Sequence, residues 1–370
     1  MSRPRIIAFY LPQYHPFPEN DQWWGKGFTE WTNVGKARPL FKGHYQPRVP
    51  TELGYYNLTM PSVREEQACM ARDAGVEGFM YWHYWFGNGK KLLTEIIEEV
   101  GRTGKPDFPF CIGWANHSWY AKQWNHDGTT TNRTLCEQTY PGKDDARRYF
   151  DSLLPLFKDH RYIKVDGRPL MLIYDPEQVP AEYMQWFQQW CKEEGMPGMF
   201  FVGYIGNPLT DGEKYIRKGF DMVLYQRLTP KASALQKKTG LLGKIVRHGW
   251  RRIAGFLRHR PPYCYNYKDV MPSLVTSQER RPDVAPVMLP NWDHTPRSGW
   301  NGILLHDSRP EYFYTHARQA IQAVKEKPQE RQIIFLKSWN EWGEGNYMEP
   351  DLKFGRGYVD ALRKAIDDEA

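Results

Sequence analysis

"QIIFLKSWNEWGEG", residues 332–345, decides the fold. Its first six residues form a short apolar run of the length and β-branched character of a buried strand. The run then breaks into Ser338, Trp339, Asn340, Glu341, Trp342, Gly343, Glu344 and Gly345. Two carboxylates three residues apart, among aromatics and glycines, are odd cargo for the end of a greasy strand. What they mean depends on how many other strands end the same way.

Working outward, seven further runs share the pattern of apolar residues followed by turn signals. They are 5–11, 78–82, 109–114, 169–174, 199–204, 221–225 and 285–290. Helical periodicity separates most of them. "SVREEQACMARDAG" is expected to start with Ser62 as its cap and stop at Gly75. Residues 144–157, 180–195 and 310–327 follow the same logic. Alternating strands and helices call for a parallel sheet. Eight such units in 370 residues favour a closed (β/α)8 TIM barrel, an α/β fold of one domain over 1–370, above an open doubly wound sheet. No G-x-G-x-x-G follows the first strand, which argues against dinucleotide binding.

Such barrels carry their chemistry on the loops after the strands. Here those positions read Tyr10, Gln13, Tyr14 and His15; His83, Tyr84 and Trp85; Trp114, Asn116 and His117; Tyr174 and Asp175; Tyr204; Tyr225 and Gln226; Trp292 and Asp293; and Trp339, Asn340, Glu341, Trp342 and Glu344. Any one of them alone reads as a satisfied polar residue at a strand end. Aromatic and polar groups at six or more ends point to one concave site. Aromatics make up 15% of the chain, with 15 Trp and 23 Tyr, and many have Asn, His, Asp or Gly as neighbours. Rings beside hydrogen-bonding groups suit sugars, whose C–H faces stack while their hydroxyls are bonded.

An anonymous E-x-x-E usually decorates a solvated loop. Placed directly after a buried strand, Glu341 and Glu344 instead suit glycosidic chemistry, which needs proton transfer at an oxygen and a second group at the anomeric centre. H-E-x-x-H, G-x-S-x-G, Walker and D-x-D motifs are absent from the sequence, and the scattered histidines are expected to bind substrate or hold structure rather than a metal. No cofactor is expected. The five cysteines are widely spaced and without a C-x-x-C pair, so buried free thiols in a reducing compartment are expected. "MSRPRIIAFYLPQYHP" has too short an apolar run for a signal core or a membrane span, which reads as cytoplasmic.

The net charge of +7 is local. Residues 231–260 hold nine Lys or Arg and no acid, more than the whole net charge, so the remainder is slightly acidic and nucleic acid is not an expected partner. Within an expected insertion at 231–262, residues 241–258 alternate apolar and basic side chains at helical spacing. An amphipathic basic helix there either packs on the barrel with a solvated face or docks on an anionic membrane surface, which would make the protein peripheral on the inner membrane.

Several segments together resemble a known family. "FYLPQYHPFPENDQWWGKGFTEWTNVGKARPLFKGHYQPRVPTELGYY", "GFMYWHYWF", "FPFCIGWANHSW", "RYIKVDGRPLMLIY", "NWDHTPR" and "IIFLKSWNEWGEGNYMEPD" follow the order seen in the WbsX-like proteins. These are also called glycoside hydrolase family 99-like proteins, and they occur in bacterial lipopolysaccharide and O-antigen gene clusters. The resemblance spans roughly residues 5–360. It implies a (β/α)8 barrel acting on an oligo- or polysaccharide of the bacterial surface, or on its lipid-linked precursor. Though named glycosyltransferases, these proteins resemble retaining endo-α-mannosidases, in which an N-E-W-x-E segment supplies both catalytic carboxylates. Carried over, Glu341 would deprotonate a sugar 2-hydroxyl that attacks the anomeric carbon, and Glu344 would be the acid, then the base, at the departing and incoming oxygens. Burial between tryptophans would keep Glu344 protonated. Trp31, inside the first quoted segment, joins the strand-end residues as a substrate-binding candidate. One departure stands out: "WANH" puts His117 where the family commonly has glutamate. Three readings stay open: a retaining glycosidase or transglycosylase, a nucleotide-sugar-dependent glycosyltransferase without D-x-D, and a non-catalytic glycan-binding protein.

Overall fold

The computed structural model describes residues 3–124, 130–228 and 259–370, with Gly249, Arg252, Ile253 and Gly255 between them. The expected basic insertion at 231–262, with its helix at 241–258, otherwise lies outside the described residues.

Eight parallel strands among the described residues form the barrel: β1 (Arg5–Tyr10), β2 (Gly78–Gly87), β3 (Phe110–Trp114), β4 (Arg168–Ile173), β5 (Phe200–Ile205), β6 (Met222–Tyr225), β7 and β8 (Ile333–Leu336). Strand β7 comes in two pieces, Val284–Ala285 paired with β6 and Val287–Met288 paired with β8. Pro286 sits at the break. It has no N–H for a ladder, but its carbonyl accepts from Phe335 N at 3.0 Å. Neighbouring strands follow chain order all the way round, and the split strand closes the ring. The expected (β/α)8 barrel is the observed fold.

Helices α1 (Pro18–Trp24) and α2 (Glu30–Gly35) follow β1, and α3 (Pro61–Ala74) leads into β2. Outside the later strands lie α4 (Glu95–Thr103), α5 (Lys143–Phe157), α6 (Ala181–Glu193) and α7 (Glu213–Lys218). The short α8 (Thr295–Ser298) follows β7, and α9 (Pro310–Val324) and α10 (Gly357–Glu369) pack on each other. Helix α3 starts one residue before the expected Ser62 cap, because Pro61, with fixed φ and no N–H, takes the first helical position. It ends as expected at left-handed Gly75. Among the described residues no helix is long and apolar enough to cross a membrane.

Strand alternation decides which side chains face inward. Phe9 of β1 points into the barrel, with its ring 5.2 Å from Trp82 and 5.8 Å from Phe335. Its neighbour Tyr10 points out and donates its hydroxyl to Gln67 of α3 at 2.6 Å. Gly113 of β3 has no side chain because a Cβ there would stand 2.0 Å from Met80 Sδ, so the filling of the barrel by β2 requires it.

The loop after β8 is clipped to β1. Asn340 Oδ1 accepts from Leu11 N at 2.7 Å and its Nδ2 donates to Leu11 O at 3.1 Å, all fully buried. Trp339 N donates to Phe9 O at 2.8 Å. Asn340→Ala would strand a buried donor and a buried acceptor, and is expected to cost about 2–3 kcal/mol. Urea unfolding reads the loss as a lower midpoint; an unchanged midpoint would deny the clamp a structural role.

Candidate active site

A cavity of about 660 Å³ opens at the carboxyl ends of the strands. Inward-facing Trp82 and Tyr84 of β2, Tyr174 after β4 and Lys337 after β8 line it, together with Gln13, His117, Glu341 and Glu344. Tyr174 stacks on Tyr204 at 5.0 Å and lies 4.9 Å from the His117 ring. Trp24, Phe28, Trp119 and Tyr120 add further aromatic lining, with Trp24 and Tyr120 well exposed.

Arg297, carried by α8, joins three carboxylates. Its guanidinium lies 2.9 Å from Glu30 Oε2, 3.3 Å from Glu341 Oε1 and 2.6 Å from Glu344 Oε1. One nitrogen, Nη1, donates to both Glu341 and Glu344. Their bonded oxygens can thus be no further apart than those two contacts laid end to end. His294 adds a contact from Nε2 to Glu344 Oε1 at 3.4 Å. Lys337 donates to the Tyr204 hydroxyl at 2.7 Å and lies 4.8 Å from the Trp292 ring centre.

The backbone is built around this knot. After β8 the chain turns through a short 3-10 segment, Trp342–Glu344, which points both glutamates into the cavity. Gly343 packs directly beneath the Glu30–Arg297 pair, and a Cβ there would stand 2.2 Å from Glu30 Oε2. Asp293 N donates to Glu344 O at 2.6 Å, tying the loop after β7 to the loop after β8.

Burial and the charge of Glu344 push Glu341 up to about 7, against the pull of Arg297 and Lys337. Burial pushes Glu344 the same way, but the adjacent Arg297 and His294 outweigh it and hold the carboxyl down at about 2. The two titrate as a pair, and the shorter Arg297 contact together with His294 favours the charged form at Glu344. That direction at Glu344 is opposite to the one expected from burial alone. The tryptophans do not flank it: Trp342 stacks on Tyr347 at 3.7 Å and donates its indole N–H to Glu349, while Trp339 is fully buried against Phe79. Burial lowers Lys337 and also His117, which favours a neutral imidazole at that position.

Several other candidates do not reach the cavity. Tyr10, His83, Trp85 and Trp114 sit on outward-facing strand positions. Trp85 stacks on Tyr149 of α5 and donates to Asp145, His83 lies 3.1 Å from the Tyr149 hydroxyl, and Trp114 donates to Trp85 O. "WHYWF" therefore splits by parity, with Trp82 and Tyr84 inside and His83 and Trp85 outside. Asn116 is spent on Asp175 backbone and Tyr140, and Asn340 on Leu11. Tyr14 contacts Trp342 N through its hydroxyl and packs on Trp31, whose indole donates to Tyr56 O. His15 is buried with Glu95 at 3.8 Å. Asp293 accepts from Gln46 and Thr295 and contacts His44 at 2.8 Å, so it shapes the α8 segment rather than binding substrate. Tyr204 lies behind Tyr174, and Trp292 faces a separate chamber.

Sequence reading missed Arg297, Glu30 and Lys337. Lys337 had a signal, since a lysine closing a buried strand must find partners. Arg297 sat unremarked in "NWDHTPR". Nothing local marks Glu30, which is 267 residues from its partner.

The model of the family described as Glycosyltransferase WbsX matches residues 6–362. The chain belongs to that family. It is the family that the sequence motifs resemble. Two proteins of Xanthomonas campestris pv. campestris, both named Uncharacterized protein WxcX, are 34% identical over 98% of this chain. The chain spans about half their length, 49%. Among solved structures, a glycoside hydrolase-like protein aligns with TM-score 0.60 at 13% identity, covering 99% of this chain and 94% of that one. The GH99 endo-alpha-mannosidase of Bacteroides thetaiotaomicron aligns with TM-score 0.55 at 15% identity, covering 99% and 97%. Both show a shared fold.

Two outcomes follow from the electrostatics. Glu341 and the buried Glu349 are both raised from 4.5 to about 7, Glu349 by burial against the pull of its hydrogen bonds. Between those values the folded state binds protons the unfolded state does not, so stability falls as pH rises. Buried histidines act in the opposite sense below about pH 6.5, with His83 held down at about 3 and His316 at about 4. The readout in thermal melts is therefore a difference: the Tm of Glu349→Gln minus that of the wild type should grow from about pH 5 to pH 8. A constant or shrinking difference would contradict the Glu349 shift. Gly343→Ala should push Glu30 off Arg297 and destabilise the fold by about 1–3 kcal/mol, read in the same melts.

Proposed function

We propose that the cavity makes or breaks glycosidic bonds of a bacterial surface polysaccharide or its lipid-linked precursor, with Glu341 and Glu344 as the reacting pair. The observation that carries this is the single guanidinium nitrogen bonded to both carboxylates, which keeps one charged and leaves the other its proton. Trp82, Tyr84 and Tyr174 supply ring faces for stacking, and Gln13 and His117 supply hydrogen-bonding groups.

In the first half-reaction Glu344 takes the proton from the donor's 2-hydroxyl while that oxygen bonds to the anomeric carbon. The bond to the leaving oxygen breaks, and Glu341 donates its proton there. In the second half, water or an acceptor hydroxyl gives its proton to Glu341 and bonds to the anomeric carbon. The 2-oxygen leaves that carbon and regains its proton from Glu344. Configuration is retained, and the 2-hydroxyl must lie trans to the leaving group. These roles are the reverse of those implied by resemblance, because Arg297 stabilises the anion at Glu344. A place in lipopolysaccharide or O-antigen metabolism and a cytoplasmic, inner-membrane-peripheral location belong to the same proposal.

The test compares an oligosaccharide with α-mannosyl fluoride plus azide, a pair that needs no proton transfer at either oxygen. Glu341→Gln should lose about 10²–10⁴-fold on the oligosaccharide yet keep most fluoride turnover, while Glu344→Gln loses both. The opposite pattern would return the acid role to Glu344, and full activity of both variants would overturn the assignment. Turnover only with an added nucleotide sugar would favour the glycosyltransferase reading.

A further inference from the structure

Beside the main cavity lies a second chamber of about 500 Å³, lined in part by Trp292, Ile303, Leu228, Gln226, Asn301 and His294. Its chemistry differs from its neighbour's. The main cavity is lined by three glutamates, one arginine and two lysines. Among its described lining residues the chamber has no Asp, Glu, Lys or Arg, only a tryptophan, aliphatic side chains, a glycine, two carboxamides and an imidazole.

The two spaces share a polar wall. His294 lines the chamber, and its Nε2 lies 3.4 Å from Glu344 Oε1. Gln226 lines the chamber and is bonded to the Tyr204 hydroxyl, which takes the Lys337 ammonium at 2.7 Å. Lys337 in turn lines the main cavity and packs 4.8 Å from the Trp292 ring centre. A ligand in the chamber therefore sits behind the same carboxylate that faces the main cavity.

We propose that this chamber binds an uncharged sugar ring of the acceptor or leaving portion, an assignment that rests on the glycosyl-transfer reading of the main cavity. An aromatic wall with carboxamides and no fixed charge matches a neutral pyranose, which needs stacking and hydroxyl partners but no counter-charge. It matches less well a sugar phosphate or uronic acid, whose anion would meet no Lys or Arg among the described residues of these walls.

Gly206 offers a clean obstruction. It lines the chamber, and a Cβ added there meets nothing within 4 Å. Gly206→Trp should fill the space without backbone strain, and Gly206→Ala should leave it open. The probes are methyl α-mannopyranoside, methyl β-glucopyranoside and methyl N-acetyl-β-glucosaminide, followed by saturation-transfer NMR, with a diazirine-bearing version of each for photolabelling. The expected result is binding of at least one probe, labelling of residues 204–208 or 292–303, and at least tenfold weaker binding in Gly206→Trp with a wild-type melt. Gly206→Ala and Glu341→Gln should bind as wild type does. No binding to the wild type, labelling confined to the main cavity, or equal binding by Gly206→Trp would each overturn the inference. Binding in the chamber by a protein with no glycosyl activity would fail the catalytic reading alone, so the two failures are distinguishable.

Discussion

The carboxylates at the mouth of this barrel are organised around one partly buried guanidinium. Arg297 of α8 draws Glu30 of α2 and Glu341 and Glu344 of the loop after β8 into contact with a single side chain. Desolvating three carboxylates together would be prohibitive without that cation and without one retained proton. The arrangement meets both conditions. It also makes Glu341 and Glu344 unequal, since the guanidinium lies closer to Glu344 and favours its charged form.

The barrel makes that arrangement rigid. Glu341 and Glu344 stand on a turn clipped to β1 through Asn340 and to the loop after β7 through Asp293 N. Asp293 in turn is held by His44, Gln46 and Thr295, so the segment carrying Arg297 has its own anchor. Residues that looked like substrate contacts in the sequence are largely this supporting frame. Polar side chains at strand ends do occur where a site is, but here many of them hold the site's walls.

Much of the architecture was legible because a parallel barrel writes itself as repeated apolar runs separated by helical periods. The eight strand positions emerged that way, and β8 with its carboxylates fell on the reactive face. The break of β7 at Pro286 and the hairpin Trp119–Trp124 with Thr130–Cys136 were not legible, since short irregular pairing leaves little periodic trace. The side-chain parity of "WHYWF" was present in the sequence but went unused, and it is what separates Trp82 and Tyr84 from His83 and Trp85.

By itself the sequence determined the barrel, the family and the location of the paired glutamates, because each of these depends on local pattern and spacing. Only the tertiary structure decided which carboxyl lies nearer the guanidinium and which aromatics face the cavity. Those outcomes depend on Arg297 and Glu30, residues distant in the chain from the glutamates they govern, and on a desolvated field that exists only once the loops have closed together.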